Sequence, residues 1–428
     1  NANNAKEQTE IANEKEIVDR ATINAMGNNP RGNIVEDELQ NELDKITNVG
    51  DTNVEDNGEE FEVVFVNTNR YYTIDKQGDI IDEGKIIVDK FPGDITKDEN
   101  GNDIEERKPF EIWCIEDLVE WSQNYEKYQN SNIILGKTLD FKSNYSYSNG
   151  KMLGCNSIED LKDLLINTSG SGFSPIQSFS GIFDGQENEI QNIYINKTEN
   201  AGLFELLNGA TIENFGISGT ITGTKYVGGI LGQSNGEVNI KNCYNKANII
   251  NETNNNSASS GGICGMLIGT ITIINSYNAE EVEIIGNRAG GILGAIGIAS
   301  ASPYIYNSYN LGYINGSTVG GIIGYVYDHA ECINVYSVGN MTGNIVGGII
   351  GRALWNNTTQ NKFENCYFLK SDTVQQSAGS NITVNAIMLD NLTNATINEL
   401  NAYISNNSSL TIEWKKWRLV ENKYPIFE

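Results

Sequence analysis

Val227-Gly-Gly-Ile-Leu-Gly232, Ser260-Gly-Gly-Ile-Cys-Gly265, Ala289-Gly-Gly-Ile-Leu-Gly294, Val319-Gly-Gly-Ile-Ile-Gly324 and Val346-Gly-Gly-Ile-Ile-Gly351 are one motif written five times. A degenerate copy, Ala201-Gly-Leu-Phe204, precedes them. With Gly202, Gly229, Gly262, Gly291, Gly321 and Gly348 taken as equivalent, the steps are 27, 33, 29, 30 and 27 residues. About a dozen residues after each glycine pair comes an asparagine in a β-rich setting: Asn214, Asn242, Asn275, Asn307, Asn334 and Asn365. Most are followed by Ser-Tyr, Cys-Tyr or Val-Tyr, which supplies Tyr244, Tyr277, Tyr309, Tyr336 and Tyr367. A fixed period of this length marks a solenoid.

The apolar segments between glycine and asparagine are short and rich in Ile, Val, Tyr and Thr, with no 3.6-residue period. The expectation is therefore a mainly β fold, a right-handed parallel β-helix with capping helices, one coil per repeat and three short strands per coil. Equivalent residues would then lie above one another about 4.8 Å apart. The glycine pair belongs where the backbone turns with φ > 0 or where coils approach closely. The asparagines belong at bends, in the left-handed region, with side-chain amides bonded from coil to coil. Asn192 is expected to start that ladder. Cys114, Cys155, Cys243, Cys264, Cys332 and Cys366 form no C-x-x-C pair, so they read as inward-facing thiols rather than zinc or redox ligands.

These repeats resemble the GLUG repeat of bacterial surface proteins, which also stands beside the protease domain of some immunoglobulin-A peptidases. The resemblance covers roughly residues 108 to 428 and implies an architecture rather than an activity. Phe179-Ser-Gly-Ile-Phe-Asp-Gly185 looks like the entry such arrays show, and Tyr424-Pro-Ile-Phe427 like their close.

Upstream, residues 4–26 read as a polar helix with a narrow apolar stripe of Ile11, Ile17 or Val18, Ala21 and Ala25. Val35–Ile46 reads as a second helix with Val35, Leu39, Leu43 and Ile46 on one face. Phe61–Val66 and Arg70–Asp75 read as strands, and a third follows Gly78. Residues 1–84 are similar to the soluble part of a type IV pilin-like protein of Gram-positive anaerobes. That resemblance implies a surface or pilus location. It also implies partner subunits reached through an apolar helix ahead of Asn1, and a chain that begins at a processing boundary. The organisation expected is thus 1–84 pilin-like, 85–109 acidic connector, 110–385 β-helix and 386–428 C-terminal cap. Ile115–Tyr128 is expected to cover the open end of the β-helix. Thr396-Ile-Asn-Glu399 reads as a capping box, and Leu410–Val420 as a strand whose two tryptophans pack on the last coil.

The formal net charge of −27 excludes nucleic acid as a partner, since it repels phosphate. No cofactor is expected. Calcium alone matches the acidic run Asp98–Asp103 with Glu105 in its preference for clustered oxygens, though the spacing is not that of an EF-hand. His329 is the one histidine, set near carboxylates but no recognisable nucleophile. The candidate ligand site is the stripe Tyr244, Tyr277, Tyr309, Tyr336 and Tyr367, expected to point outward, stacked, and to bind a glycan by ring stacking; the alternative is that it only stabilises the coils. The function expected is a non-enzymatic surface or pilus-associated adhesin or shaft, meeting a host or environmental glycan or protein. A secreted polysaccharide-degrading enzyme is the alternative.

Overall fold

The computed structural model describes residues 2–29, 33–47, 52–65, 70–85, 110–113, 115–141, 172–253, 255–407, 412–418, 420 and 424–428. The calcium-like run at 98–105, residues 142–171, Cys114 and Cys155 lie outside these residues. The chain divides into two compact units, Asn1–Asp89 and Lys90–Glu428.

In the first unit two helices, Ala2–Asn28 and Glu36–Ile46, accompany a four-stranded antiparallel sheet. The long helix buries Val18, Ala21 and Ala25 against Leu39, Leu43, Phe61, Val63, Tyr72 and Ile74. Val35 is an exposed helix cap, and Ile34 takes the buried place expected for it. The sheet gains a strand, Thr52–Asp56, whose polar sequence hid it: only Thr52 and Val54 face inward. Glu14 is buried because Tyr72 donates its hydroxyl proton to it at 2.8 Å and Arg70 Nε lies 3.7 Å away.

The second unit is a parallel β-solenoid. Its strands fall into three sheets, and the sheet of seven, from Phe204–Asn208 to Ala378–Ser380, counts the coils. Register is strict: Leu231 pairs with Cys264, Cys264 with Leu293, Leu293 with Ile323 and Ile323 with Ile350. Columns of Ile, Leu, Val and Phe fill the interior. The repeated glycines hold this register by close approach rather than by positive φ. A Cβ on Gly321 would stand 2.0 Å from Gly348 O, and one on Gly262 2.2 Å from Gly291 O.

Ile115–Gln123 and Tyr125–Tyr128 are helical beside the first coil. There the fully buried Trp121 meets Phe179, Phe183 and Phe204 with ring centroids 5.1–5.5 Å apart. At the other end, a helix spans Asn394–Asn406, starting two residues before the expected capping box. Its cap residue is Thr393, without a side-chain cap bond, and Thr396 is buried inside the helix. The expected strand over 410–420 shrinks to Trp417–Arg418, paired antiparallel with Ile426–Phe427.

Candidate functional site

The asparagines bend the chain with φ between 46° and 57°, a conformation that costs a branched side chain far more than Asn. Their amides run in series. Asn242 Nδ2 donates to Asn214 Oδ1 at 2.9 Å, Asn275 to Asn242 at 3.0 Å, Asn307 to Asn275 at 2.7 Å, Asn334 to Asn307 at 2.7 Å and Asn365 to Asn334 at 2.6 Å. Asp184, not Asn192, receives the last donor: Asn214 Nδ2 lies 3.0 Å from Asp184 Oδ1. Asn192 has the same left-handed φ of 57° but sits at a bulge on another sheet, bonded to Asp140.

Two residues beyond each asparagine from Asn242 onward the tyrosines stand out from the coil and stack. The centroids of Tyr244, Tyr277, Tyr309 and Tyr336 are 5.1, 4.8 and 5.0 Å apart, with planes within 11°. Tyr367 continues the column in register. The residue after each tyrosine turns back inside and builds a second series that sequence reasoning missed. Asn245 Nδ2 donates to Asn278 Oδ1 at 2.8 Å, Asn278 to Asn310 at 2.9 Å and Asn310 to Ser337 Oγ at 3.4 Å, all fully buried. The signal for it was the recurring Tyr-Asn dipeptide.

The stripe does not face solvent as a whole. Tyr309, Tyr336 and Tyr367 are at most 2% exposed. The cause is the C-terminal segment, whose tryptophans lie on the middle coils rather than on the last one. Trp417 packs tilted against Tyr309 and Tyr336, and Phe427 meets Tyr277 and Tyr309 edge to face. The segment also uses the spare hydrogen-bonding capacity of the outer asparagines. Asn275 Nδ2 donates to Glu413 O and Asn307 Nδ2 to Lys415 O; Lys415 N donates to Asn275 Oδ1 and Trp417 Nε1 to Asn307 Oδ1, at 2.6–3.0 Å.

Where this strap stops, a groove of about 540 Å³ opens. Asn214, Asn242, Tyr244 and Tyr277 line it, with Phe427 of the strap on one side. Lys246, Lys415 and Arg418 bring positive charge to it, and Glu187, Glu280, Glu281 and Glu428 negative. Lys246 Nζ sits 4.8 Å from the Tyr244 ring centre and 3.3 Å from the buried Glu189 carboxylate. Burial, then the charges of Glu189 and Glu281, push the Tyr277 phenol up to about 12, so it stays a donor at neutral pH. The ring faces are taken. Tyr277 lies between Tyr244 and Tyr309, and the Tyr244 ring lies over Gly216, where a Cβ would come within 2.2 Å of its Cζ. The groove therefore offers tyrosine edges and asparagine amides, not open aromatic faces.

A second constellation forms around His329. Its Nε2 is 3.5 Å from Ser302 Oγ and its Nδ1 3.5 Å from Asp328 Oδ2. The residues of an acyl-transfer triad are present, but the oxyanion donors beside the serine are not free. Ala301 N bonds to Ile298 O, Ser302 N bonds to Gly269 O, and Pro303 has no N–H. We assign it no chemistry. Among the described residues no group of three His, Cys, Asp or Glu side chains stands ready to hold a metal ion. No helix among them is long and apolar enough to cross a membrane.

No family model matches the chain. A stretch of 133 residues, 30% of the chain, is 31% identical to halomucin of Haloquadratum walsbyi, and it spans only 1% of that protein. Among solved structures, a candidate immunoglobulin A1 protease from Bacteroides ovatus is similar over 75% of this chain and 92% of its own, with 20% identity and a TM-score of 0.49. An IgA1 protease is similar over 80% of this chain and 26% of its own, with 15% identity and a TM-score of 0.42.

Proposed function

We propose that this chain is a non-catalytic module displayed on a cell surface or pilus. In this reading a GLUG-like β-solenoid, carried with a pilin-like N-terminal unit, adheres to a glycan through the groove at Asn214, Asn242, Tyr244 and Tyr277. One observation carries the reading. The strap satisfies the second amide proton and second lone pair of Asn275 and Asn307, whereas Asn214 and Asn242 line the groove without a bond to the strap. A sugar carries neighbouring hydroxyls, each both donor and acceptor, and matches a row of such pairs. Recognition is then by polar edges, with the Tyr244 and Tyr277 phenols and Lys246 at the margin.

The test is a glycan array probed with the full chain, followed by calorimetry on the strongest saccharide. Tyr277→Phe and Asn242→Gly remove one hydroxyl and one amide while keeping the ring stack and the permitted φ. Each should weaken binding about tenfold, the worth of about 1.4 kcal/mol. A saccharide whose affinity neither substitution changes, or an array with no binder, would sink the proposal. The pilin-like part is tested separately, by whether the reading frame ahead of Asn1 encodes a prepilin-type cleavage site and about 20 apolar residues.

A further inference from the structure

On a different side of the solenoid from the tyrosine stack, Met266, Ala295 and Tyr325 make a small buried cluster separate from the main core, with Tyr226 and Ile268 packed against it. These three residues are one column in register, and the next member is Arg352. A neighbouring column runs Tyr226, Ser259, Arg288, Thr318. The Arg288 guanidinium crosses from that column and lies 3.8 Å above the Tyr325 ring centre. Two half-buried arginines thus flank one tyrosine.

Their electrostatic setting combines partial burial with a neighbouring like charge. The sequence holds 56 acidic residues against 29 Lys and Arg. Several basic side chains elsewhere pair with carboxylates: Lys15 with Glu83, Lys45 with Glu42, Lys225 with Glu199, Lys246 with Glu189, Lys362 with Glu331. Arg288 and Arg352 have no carboxylate within ion-pair distance among the described residues. Arg352 Nε is buried with no hydrogen-bond acceptor. Burial lowers the pKa of Arg288, and the like charge of Arg352 acts in the same direction. A cation–π contact returns about 0.5–2 kcal/mol, but it satisfies none of the N–H donors. Buried donors without acceptors are rare in folded proteins and call for an explanation.

We propose that Arg288 and Arg352 form an oxyanion-binding site that takes the carboxylate or sulfate group of an acidic saccharide. The guanidinium fork suits planar and tetrahedral oxyanions alike, presenting paired N–H donors that a lysine cannot match. An arriving oxyanion supplies the counter-charge missing at both residues. This site is independent of the groove. It extends adhesion to charged polymers that the rest of this acidic surface repels.

The experiment is calorimetric titration of the full chain with three polymers of matched length: polygalacturonate, dextran sulfate and neutral dextran. Binding to one or both anionic polymers and not to neutral dextran is expected, and which one binds identifies the source of the oxyanion. Arg352→Gln and Arg288→Gln should each weaken that binding at least tenfold. Arg288→Lys, which keeps the charge and the fold, should weaken it severalfold, because the fork is lost. Lys362→Gln, which removes a basic side chain paired with Glu331 outside both sites, should leave it unchanged, so a general charge effect is told apart from the arginine site. Absence of binding to both polyanions, equal binding to neutral dextran, or binding untouched by all three arginine substitutions would overturn the proposal and leave the pair as a packing device.

Discussion

Trp417 donates its indole N–H to Asn307 Oδ1 at 2.8 Å across 110 residues of sequence. The same oxygen accepts from Asn334 Nδ2 at 2.7 Å, so both lone pairs of one buried amide are used. The strap is therefore keyed to the ladder, not merely laid over it. Trp417→Phe should keep much of the ring packing and lose this bond, destabilising the solenoid by about 1 kcal/mol. Trp417→Ala should cost about 3–5 kcal/mol, as large-to-small changes at buried aromatics do. Equilibrium denaturation of both variants checks the ratio.

At Asn307 itself two effects can be separated. Its φ is 46°. Asn307→Gly keeps the backbone relaxed and deletes the amide; Asn307→Ala deletes the amide and adds left-handed strain of about 1–2 kcal/mol. Alanine should be the more destabilising by about that margin in urea unfolding. Equal stabilities would mean that the coil rebuilds around the substitution.

Glycine substitutions should divide sharply by position. Gly321→Ala puts a methyl 2.0 Å from a backbone oxygen of the next coil and should cost about 3 kcal/mol or more, at the upper end of overpacking. Gly27→Ala, in the N-terminal helix with open space around it, should stabilise its unit by about 0.5–1 kcal/mol. Thermal melts of the two variants give the comparison.

Alkaline pH should loosen the stack. The Tyr277 phenol is raised to about 12, and burial raises Tyr309 and Tyr336 further, against an ordinary value of 10. Between pH 10 and 12 the unfolded chain loses these protons and the folded one keeps them. Stability therefore falls with rising pH, by about 1.4 kcal/mol per pH unit for each such group, and is unaffected by them below pH 10. Absorbance titration at 295 nm should show a class of tyrosines that ionises only as the fold is lost.

The thiols test the inside of the coils. Burial pushes Cys243 and Cys264 up to about 12. Together with the buried Cys332 and Cys366 they should resist alkylation at pH 8 and react after denaturation, as read by peptide mass spectrometry. Alkylation of any of the four in the native protein would contradict the packing.

The coil architecture could be read from Gly229, Gly262, Gly291, Gly321 and Gly348, because a repeated steric need writes itself repeatedly. The strap could not. Trp414, Trp417 and Phe427 occur once each in a stretch without period, and nothing local shows that they seek Tyr306, Tyr309 and Tyr336 far back in the chain. This is why the tyrosines could be seen to stack and point out of the coil but not to be covered. Asn192 shows the converse. Its neighbours Ile190, Gln191, Ile193 and Tyr194 mimic the repeat, and its φ matches, yet strand pairing places it on another sheet. The groove at Asn214 and Asn242 is legible only once the extent of the strap is known.

The two asparagine series have opposite polarity. Along the outer one every amide donates toward the preceding coil, from Asn365 down to Asp184. Along the inner one every amide donates toward the following coil, from Asn245 up to Ser337. Each series is a line of aligned side-chain dipoles, comparable to the peptide dipoles of a helix. The outer line places its positive end on the Asp184 carboxylate, as a helix N-terminus is placed on an acid. Over the coils where both lines run, their fields oppose. A coil carrying both asparagines therefore adds two opposed side-chain dipoles along the axis rather than one, and repetition of such coils does not build the side-chain dipole that a single series would.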